Sequence, residues 1–260
     1  VLALLLLAFL AAPPPPEPQT LRVGMDTRSR PWAFVPGLDY SAEDFLAAPR
    51  VGASQLEQLV GVDVDFLQAL ASRMGVKTRI VPVAWEGIDQ GLLDGKYDII
   101  VNAWVPNTRT PPGVVATSPY YEWGLLVVVR AGDERLRSFA DLAGRIVGHF
   151  EDASVDRSVI SLKPGKRVPF DDSDVLFEAL ASQKLDAAVE DSSYSRWRVA
   201  HDPRFRIVGE PLNRLGYHIA VRRDDAELLA RLEGAIKEVR ASGELARIRK
   251  RWEGADTPGR

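Results

Sequence analysis

From Leu21 onward, apolar runs of strand length alternate with amphipathic stretches of helical length, the order expected of an α/β protein. Leu21 to Met25 predicts a strand. Phe66, Leu67, Leu70, Ala71 and Met74 fall at i, i+1, i+4, i+5 and i+8, one face of a helix that Gly75 can end in a left-handed conformation. Thr78 to Val83 predicts a second strand. Ile88, Leu92 and Leu93 mark a short helix closing near Gly95, and Tyr97 to Asn102 reads as a third strand, so the first half runs βαβαβ.

A second set starts after Tyr120. Gly124 to Arg130 predicts a strand, and Ser138 three residues before Asp141 has the spacing of a capping box on a short helical turn. Arg145 to His149, Asp186 to Glu190 and Arg206 to Val208 read as further strands, with a helical face of Val175, Leu176, Ala179 and Leu180 among them. Tyr217 to Arg222 reads as one more strand. Leu228, Leu229, Leu232, Ala235, Ile236 and Val239 lie on one helix, Gly243 breaks it, and a basic helix runs on through Trp252. Pro36 to Val60 lacks a clear period, and a connection of that length is usually functional or mobile.

Composition narrows the class without changing this outline. Apolar residues at 46% and charged residues at 27% exclude wholesale disorder and a polytopic membrane protein. With 33 Lys and Arg against 36 Asp and Glu there is no basic field to gather a polyanion, so nucleic acid is not expected as a partner. Cysteine is absent, which removes disulfides, thiolate metal sites and cysteine nucleophiles. The three histidines, His149, His201 and His218, are scattered, and neither a metal nor a cofactor is expected. Dinucleotide, Walker, nucleophile-elbow and zincin motifs are missing, which weakens enzyme readings. Val1 to Ala12 is apolar but too short to span a bilayer, and with the small residues Ala11 and Ala12 before Pro13 to Pro16 it reads as an export signal cleaved near Ala12.

Several segments, in order, resemble the family 3 extracytoplasmic solute-binding proteins, which serve amino-acid ABC importers. They are Val23-Gly24-Met25-Asp26 with Pro31-Trp32, Gly61-Val62-Asp63-Val64-Asp65-Phe66, and Trp85 through Gly95-Lys96-Tyr97-Asp98. Arg109, Ser118-Pro119-Tyr120-Tyr121, Ser138 to Gly144, Asp186 to Asp191 and Gly243 to Trp252 complete the set. The resemblance implies an α/β protein of the type II periplasmic binding protein fold, two α/β lobes joined by a two-segment hinge and closing on a ligand. The implied divisions are a signal peptide and Pro-rich linker at 1–19, a discontinuous lobe 1 at 20–122 plus 215–254, lobe 2 at 123–214, and a tail at 255–260.

Site residues follow from the same resemblance. Arg109, eleven residues before Tyr120, matches the arginine that holds a ligand's α-carboxylate, and a guanidinium fork suits that group as a lysine does not. Asp191 matches the acid that holds the ammonium, and it can equally cap the helix beginning at Ser192. Asp26 is a weaker polar partner. Trp85 stands where the family places an aromatic wall; Trp104 and Trp32, in neighbouring segments, could line the same cleft or simply pack. The chain departs from the family pattern where Ser29-Arg30 replaces an aromatic residue, where Asn102-Ala103-Trp104 replaces small hydroxyl residues, and where Asp152-Ala153, followed by Ser154, replaces a Gly-Thr turn. The candidate ligand-binding set is therefore Arg109, Asp191, Trp85, Asp26, Asn102, Trp104, Ser154 and Arg30.

The expected function is a periplasmic, monomeric, non-enzymatic binding protein that captures an amino acid or related small zwitterion and delivers it to the membrane permease of an ABC importer. A competing class is a dehydratase of the cyclohexadienyl or prephenate type on the same fold, which needs a general acid in the cleft. The residue at that acid's position, three after Asp191, is Tyr194, a poor substitute. A third class, the sensor module of a membrane receptor, expects a second apolar span, and none follows Trp252.

Overall fold

The computed structural model describes residues 19–38, 52–107, 110–150 and 153–254. The 1–12 apolar run, the 13–16 prolines, positions 39–51 of the long connection and the 255–260 tail lie outside the described residues. The first α/β unit opens with β1 (Thr20–Met25) and the two-residue strands β2 (Arg28–Ser29) and β3 (Ala33–Phe34). A short helix α1 (Ala53–Leu56), helix α2 (Val62–Met74), strand β4 (Lys77–Pro82), helix α3 (Ile88–Leu93) and strands β5 (Ile99–Ile100) and β6 (Val114–Ala116) follow. Strand β7 (Tyr121–Trp123) leads to the second unit: β8 (Leu125–Arg130), a 3-10 turn over Phe139–Leu142, β9 (Ile146–Phe150) and α4 (Ala153–Ser161). Next come β10 (Lys166–Phe170), α5 (Ser173–Ala181), β11 (Ala187–Asp191), α6 (Ser192–His201) and β12 (Phe205–Val208). The chain returns through β13 (Leu215–Tyr217) to β14 (Ala220–Arg222), α7 (Ala226–Ala241) and α8 (Glu244–Glu253).

Each unit is built on a five-stranded sheet, of order β4-β1-β5-β14-β6 in the first and β10-β9-β11-β8-β12 in the second. Both repeat one plan: three neighbouring parallel strands, a fourth antiparallel to them, and a fifth antiparallel to the fourth. Between them β7 and β13 form a separate antiparallel ladder, Tyr121 opposite Tyr217 and Trp123 opposite Leu215. The single strand read over Tyr217 to Arg222 is thus two strands in two sheets. The break comes at His218-Ile219, whose N–H groups leave both ladders to reach the Trp104 carbonyl and the Thr117 hydroxyl. The strand read over Tyr97 to Asn102 shortens to β5, because Asn102-Ala103 turns away with Ala103 at a φ of 48°.

Local chemistry explains the main elements. Gly75 ends α2 at a φ of 64°, as its position in the sequence suggested. Leu67, Leu70 and Ala71 of α2 lie buried under the first sheet, where Leu232, Ile236 and Val239 of α7 join them. Each of the leucine, isoleucine and valine side chains contributes roughly 1.5–3 kcal/mol by leaving water. The other face of that sheet is closed by Ile88, Leu92, Tyr97 and Trp104. In the second unit Val127, Val147 and Val189 face one side, and Val128, Ala188, Leu176 and Phe177 the other.

The units also touch beyond the ladder. Trp32 packs against the core of the first unit and against the α5–α6 side of the second. Arg196 of α6 pairs with Glu253 of α8 at 3.4 Å, both buried, while the Phe34 ring lies 6.5 Å from that of Trp197 and 5.9 Å from that of Trp252.

The start of α2 is set by Gly61, whose φ of 147° excludes other residues without strain, and whose missing Cβ leaves room for the Trp32 carbonyl, 1.9 Å from where it would lie. The N–H groups of Val62 and Asp63 bond to the Pro31 and Trp32 carbonyls. Gly61→Ala is expected to destabilise the fold by about 2–4 kcal/mol, from backbone strain plus overpacking. Urea unfolding would show a lower midpoint, and an unchanged one would refute this account of the docking.

Candidate ligand site

Open α/β sheets collect ligands at the carboxyl ends of their strands. In the first sheet that edge carries Asp26 after β1, Trp85 after β4 and Asn102 to Trp104 after β5; in the second it carries α4 after β9, Asp171 to Ser173 after β10 and Asp191 at the end of β11. Six of the eight sequence candidates have described side chains. Arg109 lies outside the described residues, as does Asp152, and Ser154 falls in the first turn of α4.

Three candidates come together. The Asp26 N–H donates to Asn102 Oδ1, and the Trp85 N–H donates to Asp26 Oδ2 at 3.1 Å. The Asp26 carboxylate is fully engaged. Arg28 Nε donates to its Oδ1 at 2.8 Å and Nη2 to its Oδ2 at 2.6 Å, with the Arg28 backbone N–H adding a third bond. Both side chains are almost wholly buried, at 1% and 3% exposure, so this is an internal ion pair that only close hydrogen bonding makes tolerable. Sequence reasoning missed Arg28, although the two-residue offset puts it on the same side of an extended chain as Asp26.

Trp85 is 46% exposed, so its indole face is open at the sheet edge. Trp104, by contrast, is buried among Ile88, Leu92, Tyr97 and Ile100, and its indole N–H donates to Asp89 at 2.9 Å. That environment makes it a packing residue of the first unit. Arg30 points away from this group: its Nη2 donates to the Leu38 carbonyl at 2.7 Å and its guanidinium lies 5.5 Å above the Phe34 ring.

Asp191 caps α6, its Oδ1 accepting the N–H groups of Ser193 at 2.6 Å and Tyr194 at 3.2 Å. Its Oδ2 accepts the hydroxyl of Tyr217. The preceding Glu190 is buried too, accepting the Asp191 N–H and the Ser173 hydroxyl, each at 2.8 Å. Asp63 is a third buried acid. It accepts the Ala103 N–H and the Tyr120 hydroxyl, both at 2.6 Å, and so anchors the 102–104 turn from beneath. The sequence motif containing Asp63 was visible, yet nothing in it revealed that the carboxylate would face inward.

Burial dominates the electrostatics of all three. It pushes Asp191 up to about 6, Asp63 up to about 7 and Glu190 up to about 8, against hydrogen bonds that favour the ionised forms. The negative charge of Asp191 adds to the upward push on both of the others. The hydroxyls of Tyr120 and Tyr217 are held well above the ordinary phenol range for the same reason, with their acidic partners adding to it.

With this geometry in place, the chain can be compared with known proteins. Two α/β units with matching sheets and a two-strand crossover are the type II periplasmic binding protein fold, a class of ligand-capturing proteins. The family model for bacterial extracellular solute-binding proteins, family 3, matches residues 47–255, and the chain belongs to that family. Among curated relatives, the L-cystine-binding protein TcyJ of Escherichia coli is 25% identical over 76% of this chain and 76% of its own. The ABC transporter arginine-binding protein 1 of Escherichia coli is 24% identical over 78% of this chain and 84% of its own. Among solved structures, an ancestral arginine-binding protein bound to glutamine has a TM-score of 0.67 at 29% identity, covering 91% of this chain and 98% of that one. The open L-cystine receptor of Neisseria gonorrhoeae shares the fold with a TM-score of 0.71, covering 93% of this chain and 95% of that one.

The buried acids set a pH dependence. In the unfolded chain they ionise near pH 4; in the folded protein they keep their protons to higher pH, so between pH 5 and 8 the folded state holds more protons and stability falls as pH rises. Carboxyls lowered by arginine, such as Asp98 and Asp133, titrate below that window. The loss is on the order of several kcal/mol. Thermal melts should show a falling midpoint from pH 5 to 8, less steep in Asp63→Asn; a flat or rising profile would contradict the assignment.

Proposed function

We propose that the protein captures an α-amino acid between its two units and delivers it to the permease of an ABC importer in the periplasm. The observation that carries this reading, given the family, is the Asp191 carboxylate, buried at the carboxyl end of β11 with its Oδ2 turned toward the crossover. A buried carboxylate is an acceptor for an ammonium group, and Arg109 would supply the matching fork for the α-carboxylate. The exposed Trp85 face would cover the side chain. Relatives named for cystine and arginine, and an ancestral arginine-binding protein bound to glutamine, make these amino acids the first ligands to test.

In this reading residues 20–122 with 215–254 and residues 123–214 move as two lobes about the β7–β13 ladder, a monomer suffices, and residues 1–19 direct export. Binding without catalysis is supported by the setting of Tyr194. Its hydroxyl donates to Asp174 at 2.6 Å, and its ring is buried against Phe177 and Trp197. Burial and Asp174 push that phenol further up, so it is no general acid for a dehydratase.

A thermal-shift panel of L-cystine, L-arginine, L-histidine and L-glutamine should give at least one clear stabilisation, about 2.7 kcal/mol at 100 times Kd. Calorimetry with that amino acid should then show a loss of roughly 30- to several-thousand-fold in Arg109→Ala and in Asp191→Asn, since each leaves a charge unpaired. Asn caps helices as well as Asp, so the second variant keeps α6. A loss under threefold in Arg109→Ala would place the carboxylate clamp elsewhere.

A further inference from the structure

The Ser193 and Tyr194 N–H groups reach the Asp191 carboxylate from its own helix, whereas Tyr217 reaches it from a strand that belongs to neither five-stranded sheet. We infer that Tyr217, on the crossover strand β13, is a positioning residue of the ligand site, its hydroxyl fixing the open edge of the Asp191 carboxylate so that a ligand ammonium meets an oriented acceptor. The inference rests on the reading of Asp191 given above.

Tyr217 cannot easily turn its hydroxyl elsewhere. Its ring stacks on Trp123 at 5.1 Å and on Tyr121 at 5.9 Å, and Trp32 meets its edge at 6.1 Å with the planes 89° apart. The side chain is buried, so water does not compete for the bond. The same crossover supplies a matching bond to the first unit: Tyr120, whose N–H bonds to the Tyr217 carbonyl and whose ring stacks on Phe66 at 4.2 Å, gives its hydroxyl to Asp63. Each unit therefore has a buried carboxylate held by a tyrosine at the crossover, and Asp63 in turn holds the 102–104 turn at the edge of the first sheet.

The charged surroundings explain why Asp191 needs that donor. Glu190 adjoins it on β11, with Asp172 and Ser173 of the α5 start beyond; Asp63 approaches from α2; and the Tyr217 hydroxyl meets it from the crossover. From α6 come the Ser193 and Tyr194 N–H groups, while Arg196 on the same helix is spent on Glu253 of α8. Glu190, Asp63 and the Tyr217 phenol thus lie about this carboxylate. Hydroxyl donation favours the ionised form, the form that binds an ammonium.

Tyr217→Phe removes the hydroxyl and keeps the ring stack. With L-arginine and L-cystine as probes, calorimetry from pH 5.5 to 8.5 should show affinity near pH 7 reduced by roughly tenfold or more. The pH below which binding weakens should rise by about one unit. Tyr121→Phe removes an equally buried hydroxyl that donates to Glu253, and it should lower stability without moving that pH. Tighter binding by Tyr217→Phe, or an unmoved acid limb, overturns the inference while leaving Asp191 as a ligand residue if Asp191→Asn abolishes binding. Full affinity in Asp191→Asn, or no binding of either probe to the native protein at millimolar concentration, overturns both.

Discussion

The burial of Asp63 and Asp191 on either side of the crossover is the constraint on which the rest of the molecule turns. An ionised carboxylate out of water is costly unless every lone pair it offers finds a donor. Here the donors are drawn from three sources at once: helix N-termini, the backbone of the 102–104 turn, and two tyrosines of the crossover. Meeting that requirement ties the turn at one sheet edge, the start of α6 at the other, and the strands between them into a single hydrogen-bonded assembly. The aromatic stack around Tyr217 keeps its hydroxyl in register, so packing and polar satisfaction serve the same end.

The first unit meets the same demand differently. Asp26 is neutralised by Arg28 within the unit, and the pair takes up the Trp85 backbone N–H, so its charge is spent on holding the local backbone in place. Asp191 at the end of β11 is held instead by the N–H groups of α6 and the Tyr217 hydroxyl. In the proposed reading, selectivity for the rest of a ligand falls to shape and to aromatic surface such as the half-exposed Trp85 indole.

Much of this was legible in the sequence. The period of the apolar positions located β1, α2, β4, α3, β8, α5, β11 and α7 within a few residues, because each buries one continuous face. The short pieces β2, β3, β6, β7 and β13 were not, since two or three residues carry no period and owe their pairing to partners far along the chain. Asp191 was singled out through the family resemblance, with its place just beyond an apolar strand in support. Arg28, Asp63 and Tyr217 were not singled out, for a physical reason: each acts through a partner supplied by the fold, and Tyr217 and Asp191, 26 residues apart, meet only when the chain returns across the ladder. Trp104 illustrates the converse, a residue in a promising segment that the packing of α3 turns inward.

The contact between α8 and α6 alters the mechanics of the crossover. Two strands alone form a ribbon that can bend and twist with comparable ease. A third attachment set off the ribbon, the Arg196–Glu253 pair flanked by the rings of Phe34, Trp197 and Trp252, joins the two units a second time. In the proposed two-lobe reading the last helix is therefore a bearing, which opposes twisting of the ribbon and so narrows the relative motion of the two units toward a single degree of freedom.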